Sequence, residues 1–374
     1  MWSIWEREHF HRRADVAVIG AGIVGLFAAV FQKRAHPHHH VVVLERGAFP
    51  SGASVKNAGF ACFGSPSEIL SDIDTEGADT ALARVEERWR GLLELRAELG
   101  DATIGLEPCG GHELFGHDTP LYTRVAERFD ALNKALHGIF GRPVFTWDDT
   151  RAARMGLHTD HVAFTDLEAG VDSGALITTL LAKARAEGVV VLTNMHVTAL
   201  NETATGVELA VNGQPTVQAD RVLLCTNGYL RELLPDVDVL PARGQVLITA
   251  PVPGLALKGT FHADEGYYYF RELNGRVLLG GGRHLDKAGE TTWEDATTPR
   301  IQGALEELLR NTILPGHTFT IEHRWTGVMG FRTACKSALV ERRSPRLAVA
   351  AGLSGMGVAI GIRVARQAAK LLDE

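Results

Sequence analysis

Apolar runs and amphipathic stretches alternate along the chain in an order that predicts buried strands, each leading into a helix. Asp15–Ile19 is almost wholly apolar, as a strand inside a parallel sheet must be, and Leu26–Phe31 continues as an apolar helix after a glycine turn. Val41–Leu44 reads as a second strand of the same kind. Residues 79–99 put Leu82, Val85, Trp89, Leu92 and Leu99 on one side of a helix that ends at Gly100, and residues 119–137 form another. Gly110–Phe115 makes a short strand between them. A helix from Ser173 to Glu187 takes Asp172 or Ser173 as its cap and Gly188 as its stop. From Val189 to Cys225 the pattern is that of strands, with turns at Glu202–Gly206 and Asn212-Gly213 and a doubly buried run at Val222–Cys225. The stretch from Leu240 to Trp325 is β-rich, with Gln245–Ala250, Tyr267–Phe270, Arg276–Gly280 and Thr318–Trp325 as strands and Asn274-Gly275 as a tight turn. Leu347–Ala351 is a last buried strand, followed by a glycine turn and a helix with Val358, Ile362, Ala365, Ala369 and Leu372 on its apolar face.

The alternation of strand and helix at both ends, around a β-rich middle, predicts an α/β fold with an α+β second domain. The first domain is Rossmann-like and discontinuous, over 1–78, 150–230 and 326–374; the second, over 79–149 and 231–325, is built on a largely antiparallel sheet. A length of 374 residues accommodates both. Composition adds little: 45% hydrophobic and 22% charged residues describe an ordinary globular chain. The net charge of −7 gives no electrostatic footprint for nucleic acid. Cys62, Cys109, Cys225 and Cys335 are scattered, which fits a reducing, cytoplasmic setting better than a disulfide framework and shows no metal-ligand spacing. No run is long enough for a membrane span, and Trp2, Ile4 and Trp5 are expected to pack the N-terminal segment onto the body.

Candidate chemistry begins at Gly20-Ala21-Gly22-Ile23-Val24-Gly25, which fits G-x-G-x-x-G between the first strand and its helix. The glycines allow the tight turn, the close approach of backbone to a pyrophosphate and the packing of helix on strand, while the helix N-terminus faces the phosphates. Glu45 ends the second strand 25 residues after Gly20, near the spacing at which an acid accepts the ribose hydroxyls. The small, Gly/Ser-rich stretch Gly47–Gly59 has no role in a simple nicotinamide dehydrogenase. The closing glycine turn at Gly352–Gly357 sets a second helix N-terminus against a negatively polarised group, as the pyrimidine edge of a reduced flavin becomes. No second G-x-G-x-x-G and no cysteine pair are present, so electrons are expected to come from an organic donor.

Taken in order, GAGIVG, LERG, SGASVKNAGF, ADRVLLCTNGY, RGQ, GRVLLGGGR, WTGVMG and AAGLSGMG resemble the D-amino acid oxidase and glycine oxidase superfamily of FAD-dependent oxidoreductases, from Ala14 to Leu372. Within it the chain is similar to a bacterial branch that shares the SGAS-x-KNAGFACFGS loop. The resemblance implies non-covalent FAD held by the Gly20–Gly25 turn, with Glu45 on the ribose and Arg46 near the adenine and phosphate. Ser54, Lys56, Asn57 and Ala58 would run from pyrophosphate to flavin, Val197 would meet the adenine, and Thr226, Asn227 and Gly228 would lie beneath. Ser354, Gly355, Met356, Gly357 and Val358 would meet the pyrimidine edge.

The reaction so implied removes hydride from an amine-bearing carbon to flavin N5, on a small amine or amino acid, with oxygen or a carrier as electron acceptor. Three positions depart from the pattern. Met329 stands where amino-acid oxidases of the family carry a carboxylate-clamping arginine, with Arg332 as the nearest substitute. Tyr268 matches the active-site tyrosine, Tyr267 and Tyr269 being register alternatives. Ala359 stands where the sarcosine-oxidase branch has an oxygen-activating lysine. Arg243 and Arg271 remain as cations that either serve the substrate or make surface ion pairs. Flavin-dependent tRNA modification and FAD binding without turnover are the alternative readings.

Overall fold

The computed structural model describes residues 3–10 and 12–373. Two eight-stranded sheets organise them. The first runs in the order Leu339–Ser344, Leu347–Ala351, Val217–Leu224, Ala14–Ile19, Val41–Leu44, Val190–Leu192, and the hairpin Val197–Glu202/Val207–Val211 extends from Val217–Leu224. Its centre is parallel, with Ala17 opposite both Val42 and Val222. Val16, Ala17 and Val18 have no exposed surface, because helices cover one side and the hairpin layer the other. The helices Ile23–Ala35, Ser173–Ala186 and Gly357–Leu371 pack on one face. This is the doubly buried strand pattern read from the sequence.

The second sheet runs Ile321–Phe331, Leu240–Thr249, Arg276–Gly281, Tyr268–Leu273, Thr260–Ala263, Gly111–Phe115, His161–Thr165, Thr146–Trp147. It is antiparallel except where Thr260–Ala263 lies beside Gly111–Phe115. Asn274 and Gly275 both take positive φ, 53° and 76°, and make the expected two-residue turn. One face of this sheet, with Leu247, Phe261, Phe270 and Leu279, is closed by the helix Pro299–Leu308. The other face, with Val246, Leu278 and Tyr269, turns toward Ala58 and Phe60 of the nucleotide half.

Two boundary expectations need correcting. His161–Thr165 pairs with Gly111–Phe115, so the chain leaves the second sheet after Thr165 and not at 150. The helix Ala78–Leu99 does not open a separate body: Leu92, Leu95 and Leu99 join the core of the first sheet, and Gly91 lets the helix backbone press against the Ala359 carbonyl of the closing helix. An amphipathic face says that a helix is buried, not which layer buries it. The N-terminal helix Ile4–His9 buries none of its residues, and Ile4 and Trp5 are exposed, contrary to the packing expected of them; Trp2 lies outside the described residues. Among the described residues, no helix is long and apolar enough to cross a membrane.

Candidate active site

A cleft of about 1280 Å³, counting its open mouth, lies beyond the carboxyl ends of the strands Ala14–Ile19 and Val41–Leu44. Gly20 turns at φ 102°, and a Cβ there would sit 2.9 Å from the Cys225 carbonyl oxygen. Gly22 caps the helix Ile23–Ala35 without a side chain of its own. The Ser54 hydroxyl instead accepts from the Ile23 amide at 3.1 Å, which brings the Gly/Ser-rich stretch against the helix N-terminus. Glu45 is buried, and its carboxylate accepts from the Ala21 and Gly47 amides at 3.0 Å each. The Arg46 guanidinium stacks 3.6 Å over the Tyr229 ring and stands 3.8 Å from Glu232. The buried Thr226 hydroxyl has no partner among the described residues and lines the cleft. A glycine cradle, a helix end whose cap residue has no side chain and an unpartnered buried hydroxyl in one cleft fit a dinucleotide, FAD among them.

At the opposite end the chain is tied into shape by two asparagines. The Asn57 amide donates to the carbonyls of Ala53 and Ser54, and its oxygen accepts from the Gly59 amide and the Ser173 hydroxyl. Asn227, at φ 46°, accepts from the Gly352 amide at 3.0 Å and so holds the closing turn. That turn passes through left-handed Ser354 and Gly355, with the Ser354 amide donating to the Gly330 carbonyl, and opens the helix Gly357–Leu371 at Met356 with no side-chain cap. Met329 spans from Gly355 to Gly244: its sulfur lies 3.8 Å from where a Gly355 Cβ would be, and its terminal methyl 3.1 Å from that of Gly244.

The cleft brings together Gly20, Gly22, Ile23, Val24, Glu45, Arg46, Ser54, Asn57, Val197, Thr226, Asn227, Met329, Gly355, Gly357 and Val358. Seven other cofactor candidates act from behind it or turn away, Ser354 among them through the left-handed turn it gives the closing loop. Ala21 contributes its amide to Glu45, and Gly25 packs helix on turn. Ala58 and Met356 are buried. Gly228 allows the Met329 carbonyl to approach and accepts from the Trp293 indole at 2.6 Å. The Lys56 ammonium pairs with Asp295 at 2.7 Å, a contact that holds the aspartate below its usual range and turns the lysine out of the cleft. Tyr229, Glu232, His196 and Met195 also line the nucleotide end. Tyr229 follows directly on the TNG turn, which was the available signal.

The substrate candidates fare differently. Tyr268 points to the wrong face: it packs with the Phe270 cluster under the helix Pro299–Leu308 and meets His284 edge-on. Tyr269 is the one that faces the cleft side, crossing Gly280 and meeting Phe60 edge-on at 6.1 Å. Burial pushes its phenol up to about 12. Arg332 is turned away too, with its Nε 3.7 Å from Asp238 and its stem against Gly352. Arg243 and Arg271 are neither surface pairs nor free. Arg243 is locked to buried Glu290 through two 2.9 Å bonds. Arg271 donates to the Gly59 carbonyl at 2.7 Å and binds the short strands Phe60–Ala61 and Ala169–Gly170 to the second sheet.

A buried polar knot lies past Phe60, and no local motif marks it. His262 and Glu168 pair at 3.0 Å, Glu68 binds Arg88 at 2.7 Å, and Glu113 accepts from the Ser65 hydroxyl at 2.9 Å. Burial works to lower the His262 imidazole, but the Glu168 carboxylate prevails and holds it above its usual value. Cys62, Glu168 and His262 place ligand-type atoms within 4.8 Å of one another, yet the ion pair and the Arg88 guanidinium on the Cys62 sulfur already occupy them.

Known proteins resemble this chain. A family model described as FAD dependent oxidoreductase matches residues 15–371. Over 363 residues the chain is 25% identical to the probable oxidoreductase OrdL of Rhizobium meliloti (strain 1021), an alignment that covers 93% of this chain and 80% of that one. Glycine oxidase from Geobacillus kaustophilus superposes with a TM-score of 0.75 at 21% identity, over 97% of this chain and 95% of its own. L-proline dehydrogenase from P. horikoshii does so with a TM-score of 0.75 at 18% identity, over 97% and 94%. At such identities the structural likeness is one of fold. With a model match over nearly its whole length, the chain belongs to the FAD-dependent oxidoreductase family and takes FAD as its cofactor.

Proposed function

We propose that this protein oxidises a C–N bond of a small amine or amino acid. The observation that carries the reading is the continuity of one cleft, from Glu45 at a ribose-sized end to Met329 and Gly355 at the other, beneath the sheet face that bears Tyr269. Bound FAD supplies the two-electron acceptor, with N5 as the hydride-accepting atom. On the protein side, Glu45 would hold the ribose hydroxyls, the Ile23–Ala35 helix end the pyrophosphate, and Thr226 would supply its unpartnered hydroxyl beneath. The Gly357–Leu371 N-terminus, which has no side-chain cap, would face the pyrimidine edge of FAD, where its dipole would favour added negative charge. Met329 lines the reacting end, with the Tyr269 ring beside it and Phe60 packed edge-on against that ring. The substrate's C–H electron pair leaves as hydride while the nitrogen lone pair forms the C=N bond, and water then hydrolyses the imine to a carbonyl compound and the released amine or ammonia.

The test is anaerobic mixing of holoprotein with a panel of primary and secondary amines and amino acids. Loss of the oxidised flavin's visible absorption with at least one is the expected result; no loss with any overturns the proposal. Met329, in the position of the family's clamping arginine, favours a second reading, an FAD-binding protein without amine turnover. A stable yellow protein inert to the whole panel supports that reading instead.

A further inference from the structure

Around the reacting end of the cleft stand five cations, and four are committed. Lys56 holds Asp295, Arg243 holds Glu290, Arg271 holds backbone carbonyls, and Arg332 faces Asp238. Arg283 is the exception. It follows the glycine run that ends the strand Arg276–Gly281, where Gly281 and Gly282 take φ of 120° and 74°; Gly281 has no room for a Cβ beside the Tyr267 carbonyl. The turn carries the Arg283 guanidinium over the Phe331 ring, 4.5 Å from its centroid. Phe331 lies two residues beyond Met329 on the same strand and therefore shares its face. Among the described residues the guanidinium makes no hydrogen bond and no ion pair.

A second group beside it is also unsatisfied. The Tyr269 hydroxyl has no hydrogen-bond partner among the described residues and sits 3.7 Å from the position of a Gly244 Cβ, next to the Met329 methyl. The Arg283 charge acts directly on that phenol, working against the rise that burial imposes. Burial lowers the Arg283 guanidinium, and the nearby Glu290 carboxylate, already paired with Arg243, opposes this only from a distance. A half-buried guanidinium with an aromatic ring on one side and no ion pair of its own is costly unless an anion arrives. Five donors in a flat fork match a carboxylate's two oxygens, and a phenol O–H can serve a third lone pair.

Building on the function proposed above, we infer that Arg283, together with the Tyr269 hydroxyl, binds a carboxylate on the substrate, in the role that Met329 cannot fill. The substrate is then an amino acid or other amino-carboxylate, and a simple amine is not one. The anion is held from the end of the strand Arg276–Gly281 and not from the strand Ile321–Phe331, so the carboxylate sits on the Phe331 side of Met329.

The experiment titrates FAD-loaded protein with propionate, propionamide and inorganic phosphate, reading the perturbation of the flavin spectrum. Wild type should bind propionate in preference to its neutral amide. Arg283→Met should weaken propionate binding roughly ten- to hundredfold, the range for a charge-assisted hydrogen bond. Arg283→Lys should recover part of it, and Arg332→Met should bind as wild type does. Equal FAD content and thermal midpoints in Arg283→Met and Arg283→Lys separate lost binding from lost folding. Propionate affinity indifferent to Arg283, a larger loss in Arg332→Met, or phosphate binding in place of propionate each overturns the assignment. A protein that takes up no flavin at all overturns instead the reading on which it rests.

Discussion

Replacing Gly25 with alanine asks for a methyl group where helix and turn are already in contact. A Cβ at that position would lie 2.0 Å from the Gly20 carbonyl oxygen and 3.3 Å from Val18 Cγ1. Ordinary van der Waals contact begins near 3.4 Å, so roughly 1.4 Å of separation has to be found. The oxygen belongs to the backbone of the glycine turn and Val18 to the central strand, so neither yields like the tip of a flexible side chain. The helix Ile23–Ala35 must lift instead, and its N-terminus would move off the pyrophosphate position with it. A hydrogen bond from an amide to a charged oxygen contributes about 1.5–3 kcal/mol, so the loss of one weakens FAD binding roughly ten- to hundredfold. Titration of apoprotein with FAD, followed by quenching of flavin fluorescence, measures this directly. Gly138→Ala, whose Cβ meets nothing within 4 Å, serves as the control and should leave the affinity unchanged. An unaltered thermal midpoint and FAD affinity in Gly25→Ala would refute the role assigned to this helix end.

Arg243→Met strands the buried Glu290 carboxylate, a loss of about 3–5 kcal/mol. At about 2.1 cal/mol/K per residue over the 374 residues, this lowers the calorimetric midpoint by roughly 4–6 °C. Adding Glu290→Met should restore most of the loss, and a double variant as unstable as the single would contradict the pairing. Tyr269→Phe should change substrate affinity or flavin reduction rate while Tyr268→Phe leaves both alone; the reverse result would put the wrong face of the strand at the cleft. His262 has its folded pKa raised by Glu168, so its contribution to stability is complete below its unfolded value of about 6.5 and fades as pH rises through the folded value. The gap in thermal midpoint between wild type and His262→Gln should accordingly be widest near pH 5–6 and narrow on the alkaline side. A gap independent of pH would mean that the imidazole is held neutral.

What could be read from the chain was whatever local pattern determines. Val16, Ala17 and Val18 have no polar neighbour to mark an outer face, and Asn274-Gly275 admits one turn between its strands. The Gly20–Gly25 turn was legible because its chemistry lies in backbone and in the absence of side chains. The substrate end was not, because there the outcome depends on partners distant in sequence. Three consecutive tyrosines cannot reveal which of them faces inward; the pairing of Tyr269 with Gly280 decides it. Nothing near Arg332 announces Asp238, and nothing near Arg243 announces Glu290, 47 residues on. Arg283 goes unmarked in the sequence for the same reason: its distinction is the lack of an ion pair of its own, visible only once every neighbouring cation has been matched with its partner.

The distribution of titratable groups also fixes how the proposed reaction should respond to pH. Of the ionisable residues lining the cleft, Glu45, Arg46, His196, Tyr229 and Glu232 stand at the nucleotide end, and burial keeps the Cys225 thiol protonated by pushing it well above its usual value. Glu45 is engaged by two amides, and Glu232 lies between Arg46 and His196 at 3.8 Å from each. At the reacting end the nearest imidazole, His262, is screened by the Phe60 ring and tied to Glu168. Tyr269, pushed up to about 12, stays protonated and can donate but not abstract. Among the described residues, the carboxylates around that end, Glu290, Asp295 and Asp238, face Arg243, Lys56 and Arg332, so none is free to take a proton from an ammonium. Yet the nitrogen needs its lone pair before hydride can leave the adjacent carbon. The protein must therefore select the neutral amine from solution. The rate of flavin reduction at low substrate should climb with pH and level off at the substrate's own amine pKa, shifting when an amine of different basicity is used. A break at one fixed pH for substrates of different basicity would instead report a base belonging to the protein, and the assignment of Tyr269 as a proton-holding wall would have to be abandoned.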